Sequence, residues 1–214
     1  MDETYQLISN LEIFLGKKII RLTGADNSPE LPFDHFIKMY SGYLPSSNAR
    51  WCTKKLKLEP FEKFVGNDPV VSYVGIRGDE NREGYISKKS TIQSIFPFRK
   101  NIWSEDVINK VLNSVNNTFL AETYTQHLKG RKLDKATSII FETITPKYTQ
   151  QKRFDDLLNV GVVEFNKVAF AFLKTTKYPL AFEDDFPLLE NDEVLVREDI
   201  FNLLRESGVG VPDY

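Results

Sequence analysis

Cysteine, histidine and long apolar runs are scarce in this sequence, and each scarcity removes a class of protein. One cysteine in 214 residues excludes an intrachain disulfide framework and a four-cysteine cluster made by this chain alone, and it fits a reducing cytoplasm. His35 and His127 lack metal-ligand spacing, and no Walker loop, GxGxxG, CxxC or Ser/His/Asp pattern occurs. The longest mainly apolar stretch, 160–173, is interrupted by polar and charged residues and falls short of the ~20 residues that span a bilayer.

Neither sign of charge dominates the composition. Lys+Arg total 28 and Asp+Glu total 30, so the formal net charge is −2 and the surface as a whole does not resemble that of a nucleic-acid-binding protein. Asp2 and Glu3 stand where a signal peptide would need basic residues. We therefore expect a soluble cytoplasmic protein without membrane contact, in which any anion site is a local concentration of cations.

The hydrophobic pattern predicts a mixed α/β chain. Residues 4–15 have helical spacing and 18–22 resemble a short strand, an order that favours a parallel sheet. Residues 70–76 are β-branched and nearly continuous, which is typical of a buried parallel strand. After residue 85 the pattern favours helices, and 136–144 fits either a helix or a strand. The later helices are predicted over 105–112, over 151–174 with a possible break at Gly161, and over 197–206.

Two basic clusters bracket the predicted strand 70–76. If residues 50–57 are helical, Arg50, Lys54 and Lys57 lie on one face, and Pro60 ends that helix or lies near the start of the next, over 61–65. A solvated basic stripe is the simplest interpretation, and contact with phosphate or sulfate at the helix start is the alternative. Cys52 lies within this cluster, as either a small buried hydrophobic residue or an exposed thiol activated by its cationic neighbours.

Four charged residues follow the predicted strand directly: Arg77, Asp79, Glu80 and Arg82. Ligands of open parallel sheets bind at the carboxyl ends of the strands, and Gly75 and Gly78 permit a tight loop there. Two arginines can grip a phosphate, while either carboxylate could hold a ribose hydroxyl, a metal or one of the arginines. A set of solvated loop charges without a ligand is an alternative of equal weight. In the ligand-binding interpretation, both basic clusters meet around one anion pocket.

Both clusters resemble signatures of the phosphoadenosine phosphosulfate (PAPS) reductase family. The run RWCT at 50–53 with LKLEP at 56–60 resembles the family's "RxCT…LK…P" signature, and GIRGDENR at 75–82 is similar to its second signature in variant form. DETY at 2–5 resembles the start of the family's second helix. The tail 207–214 resembles a stretch that in relatives often precedes a cysteine-containing segment.

The resemblance implies a fold, a ligand and a set of roles. The fold would be an incomplete α/β, parallel-sheet, Rossmann-like adenine nucleotide alpha-hydrolase fold over 1–115, followed by a mostly helical extension over 116–214. The ligand would be PAPS, another adenine sulfonucleotide or ATP, used in sulfur metabolism or sulfur transfer, with nucleic acid involved only indirectly through its modification. The resemblance and the loop chemistry together give these substrate-binding residues: Arg50, Lys57, Arg77, Asp79, Glu80 and Arg82.

The resemblance also has limits that bear on catalysis. Cys52 matches a cysteine that binds an iron–sulfur cluster in some members, a role that here needs cysteines from elsewhere. The family's SGGxDS phosphate loop and its C-terminal cysteines do not occur in these 214 residues. We therefore expect the isolated chain to be inactive as an oxidoreductase. The alternative is a non-catalytic nucleotide-binding or protein-partner-binding relative within a larger modification or regulatory complex.

Overall fold

A computed structural model describes residues 3–26, 28–80, 84 and 86–211. Its contacts divide the chain into two units, each with residues from separated parts of the sequence. Unit 1 comprises Met1–Asp68, Tyr85–Ser87 and Val196–Tyr214, and unit 2 comprises Pro69–Gly84 and Lys88–Leu195. Helices make up most of the structure, and two strands form a small parallel sheet, so the mixed α/β class predicted from the sequence is confirmed.

Helices are the only regular secondary structure in the described residues of unit 1. Its regular helices are α1 (Glu3–Leu15), α2 (Pro32–Met39) and α10 (Arg197–Glu206). The strand predicted over 18–22 is wrong, because these residues pair with no other strand in the described part of the chain. A β-strand needs a hydrogen-bonding neighbour, and without one the apolar pattern leaves Ile20 65% exposed.

The fourth helix of unit 1 is a composite of three consecutive segments over 51–65. They are α3 (Trp51–Thr53), a π-helical turn (Lys54–Leu58) and α4 (Glu59–Val65). The prediction that Pro60 lies near the start of the helix over 61–65 is confirmed, since Pro60 is in the first turn of α4, although α4 continues directly from the π turn. Proline lacks an N–H and clashes with the carbonyl four residues earlier. The wider π turn, in which the Glu59 N–H donates to the Lys54 carbonyl, accommodates it.

The sheet of unit 2 has two strands, β1 (Val70–Tyr73) and β2 (Ile92–Ile95), which run parallel with Val70 opposite Ile92 and Tyr73 opposite Ile95. The predicted strand 70–76 is confirmed as a parallel strand that ends at Tyr73, but its predicted burial is wrong, because no residue of β1 is fully buried and Tyr73 is 58% exposed. β2 did not emerge from the sequence pattern, because Gln93 and Ser94 interrupt its apolar residues. Both are nevertheless buried, and the Gln93 side-chain oxygen accepts a hydrogen bond from the Leu180 N–H at 3.0 Å.

Five α-helices and three short 3-10 helices complete the described part of unit 2. The 3-10 helices are Ser114–Asn116, Pro179–Phe182 and Pro187–Glu190. The α-helices are α5 (Glu105–Val111), α6 (Asn117–His127), α7 (Gly130–Phe141), α8 (Gln150–Val160) and α9 (Val162–Leu173). The predicted helix at 105–112 and the break at Gly161 are confirmed, and 136–144 is helical up to Phe141. One core joins these helices, with Val111 and Leu112 packing in the same cluster as Leu120, so the described residues on both sides of position 115 share it.

No helix in the described part of the chain is long and apolar enough to cross a membrane.

Candidate anion-binding site

A row of exposed cations lies on the composite helix of unit 1. Arg50 is the residue that precedes the first helical turn, and no side chain caps the free N–H groups of that turn. Lys54 and Lys57 are exposed on the π turn, and neither has a carboxylate partner among the described residues. Lys55, by contrast, donates to both oxygens of Glu59 at 2.9 and 2.8 Å, and the hydrogen bond to Glu59 raises the pKa of Lys55. Arg50 Nε donates to the Ser47 carbonyl at 3.2 Å. We call these three exposed cations, none of which contacts a carboxylate among the described residues, the basic face: Arg50, Lys54 and Lys57.

An aromatic cluster holds the start of the composite helix in place. Trp51 is 8% exposed, stacks on Phe33 with ring centres 5.5 Å apart, and lies 5.2 Å from the ring of Tyr40. Its indole N–H donates to the Tyr43 carbonyl at 3.0 Å. Trp51 follows Arg50 directly, and its side chain is fixed in this way. The backbone that carries the basic face is therefore ordered even though the side chains of the basic face are exposed.

Cys52 lies on the same helix and is half-buried with a free thiol. Its Sγ is 3.9 Å from the hydroxyl of Thr53, which is the nearest polar contact recorded for it. Among the described residues no group of three or more His, Cys, Asp or Glu side chains could hold a metal ion. The role of Cys52 as a cluster ligand therefore stays a prediction that needs cysteines from elsewhere.

Gly24 packs directly against the π turn. A Cβ atom at Gly24 would lie 2.2 Å from the Lys55 carbonyl oxygen and 3.2 Å from the ring of Phe36. In a π turn the Lys55 carbonyl would accept from residue 60, but Pro60 has no N–H to donate. The backbone of Gly24 lies beside the Lys55 carbonyl oxygen. A residue with a side chain would not fit at position 24 without displacing the helix.

The second predicted cluster forms a loop in unit 2 beyond the end of β1. Arg77 donates from Nε to Asp79 Oδ1 at 2.9 Å, and its Nη1 lies 3.3 Å from Glu80 Oε1. The hydrogen bond to Asp79 is the main reason that the pKa of Arg77 is raised. Among the roles considered for the two carboxylates, contact with an arginine is the one that the structure shows. Arg77 is thus partly neutralised, unlike the basic face.

Gly78 fixes this loop to the last residues of unit 2. Its N–H donates to the Leu195 carbonyl at 3.0 Å, and the Leu195 N–H donates to the Phe98 carbonyl at 3.0 Å. A Cβ atom at Gly78 would lie 2.1 Å from Cγ1 of Val194, whereas one at Gly75 would come no closer than 4.0 Å to Phe98. Glycine is therefore needed at 78 for close packing, and at 75 the space would admit a methyl group.

The structure distributes the predicted site over both units. Cys52 and Lys57 lie on one helix of unit 1 and Arg50 directly precedes it, while Arg77 with its two carboxylates lies in one loop of unit 2. Arg82 lies outside the described residues. The structure shows contact among Arg77, Asp79 and Glu80. The meeting of the two clusters around one pocket stays a prediction.

Sequence reasoning missed an open cavity in unit 1. It has a volume of about 530 Å³, and its wall includes Asp26, Glu30, His35 and Lys63. Lys63 is 3.1 Å from Asp26, and Glu30 forms an ion pair with Lys38, so both acids are already paired. The lining residues come from a loop and two different helices. The sequence signal was limited to the turn-forming residues at 26–32.

A polar cluster on unit 2 was also missed. Lys110 Nζ is 2.8 Å from Asp106 Oδ2, and the Tyr178 hydroxyl donates to the same oxygen at 2.5 Å. Burial alone raises the pKa of Asp106, but the hydrogen bonds from Lys110 and Tyr178 outweigh it and lower that pKa overall. The ammonium of Lys110 also lies 4.7 Å from the centre of the Tyr178 ring. Tyr178 is 68 positions from Lys110 in the sequence, so only the Asp106–Lys110 spacing was visible there.

Comparison with known proteins gives one partial match of significance. A curated protein of Methanocaldococcus jannaschii, named uncharacterized protein MJ0066, is 34% identical over 108 residues. The match covers 44% of this chain and 21% of that protein, so the matched stretch is about a fifth of the relative's length. No protein-family model matches the sequence. No solved structure matches it either.

Proposed function

We propose that this chain binds PAPS or a related adenine nucleotide such as ATP, as a PAPS reductase-like protein of cytoplasmic sulfur metabolism or sulfur transfer. The observation that carries the proposal is the basic face. Arg50, Lys54 and Lys57 have no carboxylate partners in the described part of the chain, and Arg50 precedes a helix start whose N–H groups have no side-chain cap, with the two lysines further along the same helix. Phosphate and sulfate groups are the ligands that such a surface favours.

The loop of unit 2 supports the proposal in a different way. Its position after the end of a parallel strand is where ligands of α/β sheets bind, which fits the Rossmann-like adenine nucleotide alpha-hydrolase fold that the sequence resembles. Arg77 already contacts Asp79 and Glu80, so an incoming phosphate must share its guanidinium with two carboxylates. We therefore assign the larger part of the anion affinity to the basic face.

Binding without reduction is the activity we assign to the isolated chain. Its single thiol, Cys52, is half-buried, and reduction of a sulfonucleotide needs a second thiol or another electron donor from outside these residues. The non-catalytic alternative, a nucleotide-binding or partner-binding relative within a larger complex, makes the same binding prediction. The reductase-like proposal and the non-catalytic alternative differ in whether sulfite is produced when a thiol-bearing partner is added.

Isothermal titration calorimetry with PAPS and ATP tests the proposal. We expect Arg50→Ala and Lys57→Gln each to weaken binding about tenfold, because each removes one charge-assisted contact. Lys132→Gln is the matched control, since Lys132 is an exposed, unpaired cation on α7 and its substitution makes the same change in net charge. We expect that control to bind like the wild type.

Two outcomes would contradict the proposal. One is a folded chain that binds neither nucleotide. The other is binding that Lys132→Gln weakens as much as Lys57→Gln, which would mean that net charge alone attracts the nucleotide.

A further inference from the structure

The outer edge of β1 carries free backbone hydrogen-bonding groups. The Val70 N–H donates to the carbonyl of Thr91, the residue before β2, and the Val74 N–H donates to the carbonyl of Ile95 in β2, both at 2.8 Å. Because alternate residues of a strand face opposite edges, the N–H and C=O groups of Val71 and Tyr73 face away from β2. No hydrogen bond to these groups is recorded among the described residues.

The two edges of the sheet are not equivalent. All four residues of β2 are buried, and Ile95 forms an antiparallel bridge to Trp103 on the side away from β1. No residue of β1 reaches that degree of burial, and Tyr73 is 58% exposed. Parallel sheets are normally buried and have more than two strands. The sheet is therefore closed at β2 and open at β1.

The open edge is only four residues long, which limits pairing, but it lacks the other features that keep edge strands from pairing. Residues 69–76 contain no charged side chain, and the only proline among them, Pro69, precedes the strand. Natural edge strands are usually protected by lysine, by inward-facing charge, by proline or by a bulge. An uncharged edge with β-branched residues and free N–H and C=O groups is the kind that accepts another strand.

We propose that the outer edge of β1 is a docking site for an extended strand of a separate polypeptide, which adds to the sheet next to Val71 and Tyr73. The incoming strand would be apolar at alternate positions, because one of its faces would continue the surface where Val71 packs on the core. This proposal is independent of nucleotide binding, since neither residue belongs to the basic face or to the Arg77 loop.

A second copy of this chain is a poorer occupant than a separate strand. Antiparallel pairing of β1 with itself would place Val71 opposite Tyr73 and form four hydrogen bonds over a strand of four residues. Stable dimers bury roughly 1,200 Å² or more, which so short a pairing does not provide by itself. A longer extended segment can continue beyond the strand and also cover the exposed ring of Tyr73.

Random twelve-residue peptides displayed on phage, selected against the complete immobilised chain, supply the probe. We expect enrichment of peptides in which valine, isoleucine or aromatic residues alternate with polar ones. The best peptide is then synthesised in two N-methylated forms, each blocking the N–H groups of one edge. One form should bind about tenfold more weakly and the other should bind normally, because only one set of N–H groups faces β1.

Protein variants test the same edge from the other side. Tyr73→Pro removes an outward N–H, and proline is tolerated on a free strand edge, so we expect the fold to survive and peptide binding to fall about tenfold. Tyr73→Ala is the matched control, since it removes the side chain but keeps the N–H, and its loss should be smaller. Circular dichroism and the fluorescence of buried Trp103 report folding, and the N-methylated peptides decide the matter if Tyr73→Pro does not fold.

Three results would overturn the proposal. They are the absence of any enriched peptide, equal binding of both N-methylated forms, and a dimer in sedimentation that Tyr73→Pro dissociates. The last result would assign the edge to a second copy.

Discussion

Unit 2 and unit 1 bury their apolar residues to very different extents. Unit 2 packs five helices and the sheet around one continuous core, in which Trp103, Phe165 and Leu157 are at most 1% exposed. Unit 1 buries Phe36, Trp51 and Val209, whereas α1 has no buried residue. The basic face lies on a helix of unit 1 that one aromatic cluster holds in place. Arg77 lies in a loop of the well-packed unit 2. We infer that folding stability comes mainly from unit 2.

The largest effect is expected from truncation in the core of unit 2. Phe165 is 1% exposed and meets the ring of Phe154 at 5.2 Å, so Phe165→Ala should cost about 3–5 kcal/mol of unfolding free energy. Ile13→Ala on α1 is the comparison in unit 1, where the side chain is 81% exposed, and it should change stability by less than about 0.5 kcal/mol. Urea denaturation followed by circular dichroism measures both. Equal losses would contradict the contrast between the units.

A smaller effect is expected at Gly78. Gly78→Ala places a methyl group 2.1 Å from Val194 Cγ1 and 3.1 Å from the Phe98 carbonyl, which should cost about 1–3 kcal/mol. Gly75→Ala in the same loop should be tolerated, because its nearest neighbour is 4.0 Å away. Thermal denaturation measures the difference. Adding Val194→Ala to Gly78→Ala should restore part of the loss, and no recovery would mean that the Val194 contact is not the cause.

A third effect concerns the aromatic cluster of unit 1. Trp51→Phe keeps most of the ring packing but removes the N–H that donates to the Tyr43 carbonyl, so we expect a loss of about 1 kcal/mol. Binding of PAPS should weaken at the same time, because the backbone at Arg50 becomes less ordered. Phe33→Leu is a control that alters the stack without touching this hydrogen bond. A Trp51→Phe chain with unchanged stability and affinity would remove the support proposed for the basic face.

The smallest effect is expected from pH at the polar cluster of unit 2. The pKa of Asp106 is lowered in the folded chain, so its contribution to stability is present above the ordinary aspartate pKa of about 3.9 and is lost as pH falls through the lowered value. Asp106→Asn should remove that part of the acid dependence. Since the pair with Lys110 is largely exposed, the change at neutral pH should be only about 0.3–0.5 kcal/mol. Denaturation at pH 2 to 7 checks it, and identical pH profiles would exclude the contribution.

Local pattern predicted most helices, and tertiary context decided the rest. α10 and the break at Gly161 followed from spacing and a glycine, which are signals within one segment. The failed strand at 18–22 and the missed strand β2 have a common cause. Strand formation depends on a neighbour that is distant in sequence, so apolar residues without a partner form none, and Gln93 is buried because its side chain meets Leu180.

The same distinction between local pattern and tertiary context applies to the candidate site. The row of cations and the Arg77 loop were visible as residue types at a given spacing. The pairing of Arg77 with Asp79, the freedom of Lys57 and the close approach of Gly24 to the π turn depend on side-chain and backbone placement that spacing does not give. The cavity beside Lys63 combines separated segments and had no usable sequence signal.

The π-helical turn has a consequence for comparing this chain with its relatives. An i→i+5 turn contains one more residue than an i→i+4 turn, so 54–58 holds an extra position without lengthening the helix by a full turn. Relatives whose helix is regular here should align with a one-residue gap in this segment. Misplacing that gap would shift Lys57 by one position and exchange an exposed side chain for a half-buried one.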